Sequence, residues 1–189
     1  MIPVILRTKR LELSVPGTDD VDAIFAACQD PEIQRYTTVP SPYQRAHAEE
    51  FIRRAAAHWE EGTEVVWALR ADGVLAGVAS VFGLTEKAPV GEIGYWMAPG
   101  MRGRGLLGEA ITAVVTYALS RDGLGLRRLQ WRAIAGNRAS ASVAARAGFR
   151  FEGTLRAALP DRGTQRDGWV AAILDDDDRM PQDWPVLAG

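Results

Sequence analysis

A glycine-rich segment in the second half of the chain combines residue types that bind phosphate. It spans residues 102–108 and leads into a stretch with the apolar spacing of a helix. Backbone N–H groups at the start of a helix have no intrahelical acceptor, so they attract anions, and nearby arginines add positive charge. The glycines also fit the spacing G-x-G-x-x-G of dinucleotide-binding turns. The predicted phosphate site therefore consists of Arg102, Gly103, Arg104, Gly105, Leu106, Leu107 and Gly108.

Residues around this segment discriminate between common phosphate-binding motifs. A Walker A loop requires a Gly-Lys pair followed by Ser or Thr, and the chain contains none. A Rossmann dinucleotide site requires an acidic residue at the end of the next strand, where this chain has Arg132, Ala133 and Ile134. The sequence therefore excludes the Walker loop and disfavours NAD. Two interpretations stay open at this point, a site for another phosphate-containing ligand and a structural turn with a basic rim.

The hydrophobic pattern predicts the elements that would position the glycine-rich segment. Alternating residues and short apolar runs predict strands over residues 10–15, 65–70, 74–82, 90–97, 128–133, 149–155 and 169–175. Helical apolar spacing predicts helices over residues 21–28, 48–59, 107–119 and 137–147. Asp72-Gly73 predicts a hairpin turn, and residues 36–43 predict a loop. This order indicates a mixed α/β domain with an antiparallel first part and a β-α-β crossover at the glycine-rich segment.

Composition limits the class of protein. The 189 residues are 47% hydrophobic and 24% charged, which is ordinary for one soluble globular domain over residues 1–189. A net charge of −2 gives no electrostatic footprint for nucleic acid, and no apolar run reaches the length of a membrane span. The single cysteine, Cys28, predicts a buried thiol. We therefore expect a cytoplasmic protein with no nucleic-acid or membrane partner.

The order of elements and three groups of motifs resemble the GNAT superfamily of acyl-CoA-dependent N-acyltransferases. The first group is the strand GEIGYWMAP at residues 91–99, followed by the glycine-rich segment and Glu109-Ala110. The other two groups contain Asn137, Ala139-Ser140, Val143, Gly148-Phe149, Glu152-Gly153 and Arg156, and then Gly163 and Arg166-Asp167. Within the superfamily, the chain is most similar to the RimJ/RimL branch, which includes N-terminal acetyltransferases of ribosomal proteins. The resemblance covers nearly the whole chain.

This resemblance implies a GNAT fold, with a mixed, mostly antiparallel seven-stranded sheet, about four helices, and central strands splayed to hold acyl-CoA. It implies that the glycine-rich segment binds the CoA pyrophosphate through backbone N–H groups. Leu107 departs from the superfamily pattern, which has Gly or Ala there. The preceding strand is expected to pair with the pantetheine arm as an added strand would. The remaining cofactor residues implied by the resemblance are Ile93, Tyr95, Trp96, Met97, Ala98, Asn137 and Arg146.

Acyl transfer from a thioester to an amine needs a neutral amine, a stabilised oxyanion and a proton for the leaving thiolate. The resemblance implies Glu92 as the base and Ser140 as the proton donor. A surface carboxylate is the alternative for Glu92, helix capping is the alternative for Ser140 and Asn137, and a solvated side chain is the alternative for Arg146. Where some enzymes of the branch pair the serine with a glutamate, this chain has Leu159.

Aromatic residues near the first helices are expected to line the acceptor pocket, with core packing as the alternative. These residues are Tyr36, Tyr43, Trp67 and Phe82. The two histidines, His47 and His58, are expected to be peripheral, with His58 in solvent.

The sequence thus predicts an N-acyltransferase that moves an acetyl or other acyl group from acyl-CoA to a primary amine by direct attack. Acetyl-CoA is the expected co-substrate, and no metal is expected. A small-molecule amine and a peptide or protein α-amine both fit as acceptors, and a homodimer is compatible with the sequence. The alternative is a catalytically silent acyl-CoA-binding or sensor module of the same fold.

Overall fold

An eight-stranded sheet forms the centre of the computed structural model, which describes residues 1–85 and 87–188. Glu86 and Gly189, which belong to the predicted domain 1–189, lie outside the described residues. The strands are β1 (Leu6–Arg7), β2 (Glu12–Ser14), β3 (Glu64–Ala71), β4 (Val74–Phe82), β5 (Val90–Met97), β6 (Arg128–Ile134), β7 (Arg150–Asp161) and β8 (Thr164–Leu174). They lie in the order β1-β2-β3-β4-β5-β6-β8-β7, and β5–β6 is the parallel pair among otherwise antiparallel neighbours.

Helices cover both faces of the sheet. They are α1 (Val21–Ala27), α2 (Pro31–Tyr36), α3 (Arg45–Glu61), α4 (Leu106–Leu119) and α5 (Arg138–Arg146). The apolar sides of α4 and α5 pack into the main core, and residues of α1 to α3 form a second apolar cluster. Neighbouring residues Trp67 and Ala68 of β3 belong to different clusters, so the clusters lie on opposite faces. No helix in the described part of the chain is long and apolar enough to cross a membrane.

The predicted mixed sheet is confirmed, with differences at its edges. β4 and β5 have the predicted bounds, and Asp72 and Gly73 turn between β3 and β4 with φ of 49° and 77°. The two-residue strand β1 is additional, so the described sheet has eight strands instead of seven. The apolar pattern does not predict α2, because six residues are too few to show a helical period. Its signals are local ones, the Asp30 cap and Pro31 at the first helical position.

The hairpin of β7 and β8 is longer than predicted. Arg162 and Gly163 make its turn with φ of 48° and 83°. Most side chains at residues 154–167 are exposed, so no apolar alternation marks this part of the strands. The hairpin tip reaches α2, where the Arg162 guanidinium donates to the Gln34 carbonyl oxygen at 2.5 Å. This hydrogen bond therefore connects the tip of the β7–β8 hairpin to α2.

Candidate active site

β5 and β6 are paired over only part of their length. Their parallel register runs from Val90 opposite Arg128 to Ile93 opposite Trp131. Beyond this point, residues 94–97 remain bonded to β4 and residues 132–134 remain bonded to β8. The two strands therefore diverge after Ile93, and from residue 94 onward the edge of β5 that faces β6 pairs with no strand of the described chain. A free strand edge offers backbone donors and acceptors to an extended ligand.

The glycine-rich segment connects the C-terminal end of β5 to α4. Gly103 and Gly105 have φ of 75° and 72°, in the left-handed region that glycine adopts without strain. Gly105 is the N-cap of α4, and glycine has no side chain that could accept a hydrogen bond from the first turn of the helix. A Cβ added at Gly103 or Gly108 would meet nothing within 4 Å, so the backbone is open there. First-turn N–H groups without a side-chain acceptor, next to open backbone, fit a phosphate group.

A hydrogen-bonded network from the N-terminal segment holds the start of α4. Arg10 Nε donates to Glu109 Oε2 at 2.7 Å, and Arg10 Nη1 donates to the Arg104 carbonyl oxygen at 2.9 Å. The Thr8 hydroxyl donates to Glu109, and this bond is the largest of the causes that lower the pKa of Glu109. The Arg104 side chain is exposed and does not line the cleft described below. This network therefore fixes the backbone of the segment.

The guanidinium of Arg102 is directed toward α2 instead of the start of α4. Arg102 Nη2 donates to Asp30 Oδ1 at 2.7 Å, and Arg102 Nε donates to the Met97 carbonyl oxygen at 3.2 Å. Asp30 is also the N-cap of α2, where its Oδ1 accepts from the Ile33 N–H at 2.9 Å. The hydrogen bond from Arg102 is the largest cause that lowers the pKa of Asp30. Arg102 thus links the glycine-rich segment to α2.

The splayed strands, the glycine-rich segment and helices α2 and α3 line one cleft of about 1460 Å³. Most sequence-predicted site residues line it, namely Tyr36, Tyr43, Phe82, Glu92, Ile93, Tyr95, Trp96, Met97, Arg102, Gly103, Gly105, Leu106, Leu107, Gly108, Asn137, Ser140 and Arg146. Ala98 is absent from the lining. Leu107 is half-buried against the main core, which accommodates a leucine at this position. Most of the residues predicted to bind acyl-CoA and most of those predicted to bind the acceptor amine therefore line the same cleft.

Trp67 belongs to the core and not to the cleft, so its prediction as an acceptor residue is wrong. Its side chain is fully buried, and its Nε1 donates to the Val4 carbonyl oxygen at 2.9 Å. Trp59 and Tyr117 make edge contacts with its ring at centroid distances of 5.4 and 5.8 Å. The reason is register: Trp67 points to the face that α4 covers, whereas its neighbour Val66 lines the cleft.

Glu92 lies at the point where β5 and β6 begin to diverge. Its side chain is 17% exposed and lines the cleft. Arg132 holds one of its carboxylate oxygens, since Nε and Nη2 lie 2.8 and 2.7 Å from Oε2. Oε1 makes no hydrogen bond with the described residues and is the oxygen left to bind an amine or water. Among those residues, no group of His, Cys, Asp and Glu side chains forms a candidate metal site.

Ser140 lies in the first turn of α5, beside the same divergence point. The Asn137 side chain caps this helix by accepting from the Ser140 N–H at 3.2 Å. Trp131 Nε1 donates to Ser140 Oγ at 3.1 Å, and the Tyr95 hydroxyl donates to the Ser140 carbonyl oxygen at 2.9 Å. Burial raises the pKa of Tyr95, which keeps this phenol a donor. Because an indole N–H only donates, the Ser140 hydroxyl proton points away from Trp131.

Comparison with known proteins identifies the family. Residues 10–150 match the family model described as an acetyltransferase (GNAT) domain. The chain is 32% identical over 176 residues to an uncharacterized N-acetyltransferase, YoaA, of Bacillus subtilis (strain 168), covering 92% of this chain and 98% of that protein. The chain belongs to the GNAT acetyltransferase family. This confirms the predicted N-acetyltransferase class. A putative ribosomal N-acetyltransferase of the same organism, YdaF, is 36% identical over 96 residues, which is 51% of each chain.

Solved structures show that the GNAT fold extends over nearly the whole chain. RimL, described as a ribosomal L7/L12 α-N-protein acetyltransferase in complex with coenzyme A, has a TM-score of 0.83 at 22% identity, covering 93% of this chain and 100% of its own. The microcin C7 self-immunity acetyltransferase MccE, in complex with acetyl-CoA and AMP, has a TM-score of 0.80 at 19% identity, covering 88% and 93%. These likenesses confirm the predicted GNAT fold.

The sequence analysis did not predict that a stripe of residues on α3 lines the cleft of this GNAT domain. His47, Phe51, Arg54 and His58 follow helical spacing and line the cleft. The prediction that His58 lies in solvent is wrong, because β3 begins beside the last turn of α3. There, His58 Nδ1 lies 3.0 Å from Glu64 Oε2, and both side chains are only 24% exposed. The spacing of the stripe is the signal that could have found it.

Proposed function

We propose that this chain transfers the acetyl group of acetyl-CoA to the α-amine of a peptide or protein N-terminus. The observation that carries the proposal is one continuous cleft that joins a free strand edge, an uncapped helix start and an acceptor half. The acceptor half is the part of the cleft lined by Tyr36, His47, His58, Glu64 and Phe82. Relatives support this acceptor, since RimL is described as an α-N-protein acetyltransferase and YdaF as a putative ribosomal N-acetyltransferase.

The donor half of the cleft fits an extended acyl-CoA. The pantetheine amides would pair with the free edge of β5 at residues 94–97, and Asn137 would add a side-chain contact. The pyrophosphate would bind N–H groups of residues 103–108, because no side chain caps α4. Arg146, exposed in the last turn of α5, would add positive charge for the nucleotide phosphates.

The ease with which an amine loses its proton favours an α-amine as the acceptor. An α-amine with a pKa of about 8 is roughly one-tenth neutral at pH 7, whereas a lysine amine with a pKa of about 10.4 is about 0.04% neutral. The α-amine therefore needs much less help to lose its proton. Glu92 would attract the ammonium form to the point where β5 and β6 diverge.

Ser140 would supply the proton that the leaving thiolate needs. The neutral amine attacks the thioester carbon, and the C–S bond breaks as the tetrahedral intermediate collapses. Of the two protons lost by the ammonium, the first leaves before attack and the second leaves the nitrogen afterwards. Ser140 gives its hydroxyl proton to the thiolate and regains one from the nitrogen through water. The hydrogen bond from Trp131 supports this role, because Ser140 Oγ is the acceptor in it and the hydroxyl proton stays available for donation.

Measurement of CoA release with a panel of amines tests the proposal. The panel contains peptides with free N-termini, N-terminally blocked peptides that contain lysine, polyamines and an aminoglycoside. We expect turnover of the free peptides, with mass spectrometry locating one acetyl group on the α-amine. Turnover of only the lysine peptides or small amines would overturn the proposed acceptor. Saturable acetyl-CoA binding without turnover of any amine would instead identify a silent acyl-CoA-binding module.

A further inference from the structure

His58 and Glu64 form a histidine–carboxylate pair in the acceptor half of the cleft. His58 Nδ1 lies 3.0 Å from Glu64 Oε2, and both side chains are about three-quarters buried. His58 lies in the last turn of α3 and Glu64 begins β3, and the intervening Gly62 ends the helix with a φ of 72°. Both residues line the cleft. The donor site and thiolate protonation make no use of this pair.

The pair decides which nitrogen of His58 accepts a proton. A carboxylate only accepts hydrogen bonds, so Nδ1 carries the hydrogen that it donates to Glu64, and Nε2 of the neutral ring is the proton acceptor. His47 has the opposite arrangement, because its Nδ1 accepts from the Gln44 N–H at 3.0 Å. Neutral His47 therefore carries its hydrogen on Nε2. Of the two histidines that line the cleft, only His58 is arranged as a base.

The sheet register places this pair on the same face as Glu92. Glu64 lies opposite Phe82 of β4, and Phe82 lies opposite Glu92 of β5. Residues in matched register point to one face, so Glu64 and Glu92 flank Phe82. Two strand spacings put the Cα atoms of the two glutamates about 10 Å apart. His58, Glu64 and Glu92 also line one cleft, so a water in this cleft could connect an amine bound at Glu92 to the imidazole.

We propose that His58 is the general base that removes the first proton from the acceptor ammonium, through one water. The inference rests on the proposed function, and it assigns ammonium binding and proton removal to two different residues. Glu92 binds the ammonium through Oε1, since Arg132 engages Oε2, and His58 takes the proton. The ammonium gives a proton to the water as the water gives one to His58 Nε2, and Glu64 stabilises the resulting imidazolium.

Once this proton has left, the remaining steps depend on Ser140. The neutral amine forms the C–N bond, the C–S bond breaks, and Ser140 protonates the thiolate. The imidazolium of His58 returns its proton to solvent before the next turnover. The products are the N-acetylated amine, CoA with a free thiol and one proton.

Chemical rescue of His58→Ala tests the inference. We expect kcat with an N-terminal peptide to fall about 100-fold, because general bases contribute at least that much to rate. Added imidazole should restore kcat saturably by occupying the space that the side chain leaves. Stabilisation of the fold by acetyl-CoA should stay unchanged, because His58 lies outside the proposed donor half. Glu64→Gln should also lower kcat, and imidazole should not restore it.

His47→Ala is the matched control, because His47 lies on the same helix and lines the same cleft. Imidazole should not restore any activity that this variant loses. Where His58→Ala fails to fold, His58→Gln keeps the bulk and a donor toward Glu64, lacks a basic nitrogen, and should show the same fall in kcat. Full kcat in a folded His58 variant, or a loss in His58→Ala that imidazole leaves unaltered, would overturn the base role. Failure of the wild type to turn over any amine would overturn the proposed function itself.

Discussion

Arg102 in the glycine-rich segment donates to both carboxylate oxygens of Asp30, the N-cap of α2, with distances of 2.7 Å to Oδ1 and 3.3 Å to Oδ2. Asp30 is 13% exposed and Arg102 is 39% exposed, so water screens the pair only in part. Helix α2 carries Tyr36, which lines the acceptor half of the cleft. The pair therefore joins the proposed donor site directly to the helix that borders the acceptor.

Asp30→Asn removes this ion pair and keeps the helix cap, so it measures the ion pair alone. Asn caps helices about as well as Asp, so the variant keeps the bond to the Ile33 N–H and loses the charge. We expect a loss of about 1 kcal/mol in unfolding free energy, together with a higher KM for both acetyl-CoA and the acceptor. Asp30→Ala should lose about 1 kcal/mol more, because it removes the cap as well. Urea denaturation and steady-state kinetics measure both effects, and unchanged KM values would contradict the link.

The same pair predicts a pH dependence of stability. The hydrogen bond from Arg102 lowers the pKa of Asp30 in the folded state. Such a group contributes stability above its unfolded-state pKa of about 3.9, and the contribution disappears as the pH falls through the folded-state pKa. The difference in unfolding free energy between wild type and Asp30→Asn should therefore be constant above about pH 5 and shrink below about pH 4. Denaturation at a series of pH values checks this, and a constant difference down to pH 3 would count against it.

Regular elements with a periodic or continuous apolar pattern were predictable from sequence, and contacts between distant segments were not. Strands β4 and β5 follow from their apolar pattern and the Asp72-Gly73 turn. By contrast, α2 is too short to show a helical period, and the contact of its cap Asp30 with Arg102, 72 residues away in sequence, has no local signal. Trp67 and His58 show the limit for the site. The chemistry of an aromatic or imidazole side chain is evident from its type, but only the register of β3 and the packing of α3 decide which of them meets the cleft.

Glu92→Gln tests whether a negative charge binds the acceptor at the divergence point of β5 and β6. Glutamine keeps the size of the side chain and removes its charge, so we expect about a tenfold rise in acceptor KM, which corresponds to about 1.4 kcal/mol. Activity of the variant should also rise more steeply with pH up to the pKa of the α-amine, about 8, because it binds mainly neutral amine.

A second glutamate–arginine pair provides the control for this variant. Glu152 contacts Arg128 at 2.6 Å and lies outside the cleft, so Glu152→Gln should leave the acceptor KM unchanged. An unaltered acceptor KM and pH profile in Glu92→Gln would remove Glu92 from the mechanism.

Ser140→Ala tests the proton donor for the thiolate. We expect kcat to fall about 100-fold while acetyl-CoA still stabilises the fold. The variant also leaves the Trp131 N–H without its acceptor, which should cost about 1 to 3 kcal/mol of unfolding free energy. Ser142→Ala, two residues further along the same helix, should retain kcat. Equal kcat values in the two variants would show that the Ser140 hydroxyl has no part in the transfer.

Gly105→Val tests the pyrophosphate site at the start of α4. A β-branched residue at a φ of 72° is strained by about 1 to 2 kcal/mol, so we expect the local backbone and its N–H groups to shift. The added Cβ would lie 3.6 Å from Arg10 Nη2. Gly73→Val is the matched control, because Gly73 has a φ of 77° and lies in the β3–β4 turn, away from the cleft. Both variants should lose similar unfolding free energy, whereas only Gly105→Val should lose stabilisation by acetyl-CoA in a thermal-shift titration. The strain at the two glycines is similar, but only Gly105 lies in the glycine-rich segment. If acetyl-CoA stabilises Gly105→Val as strongly as Gly73→Val, the pyrophosphate therefore binds elsewhere.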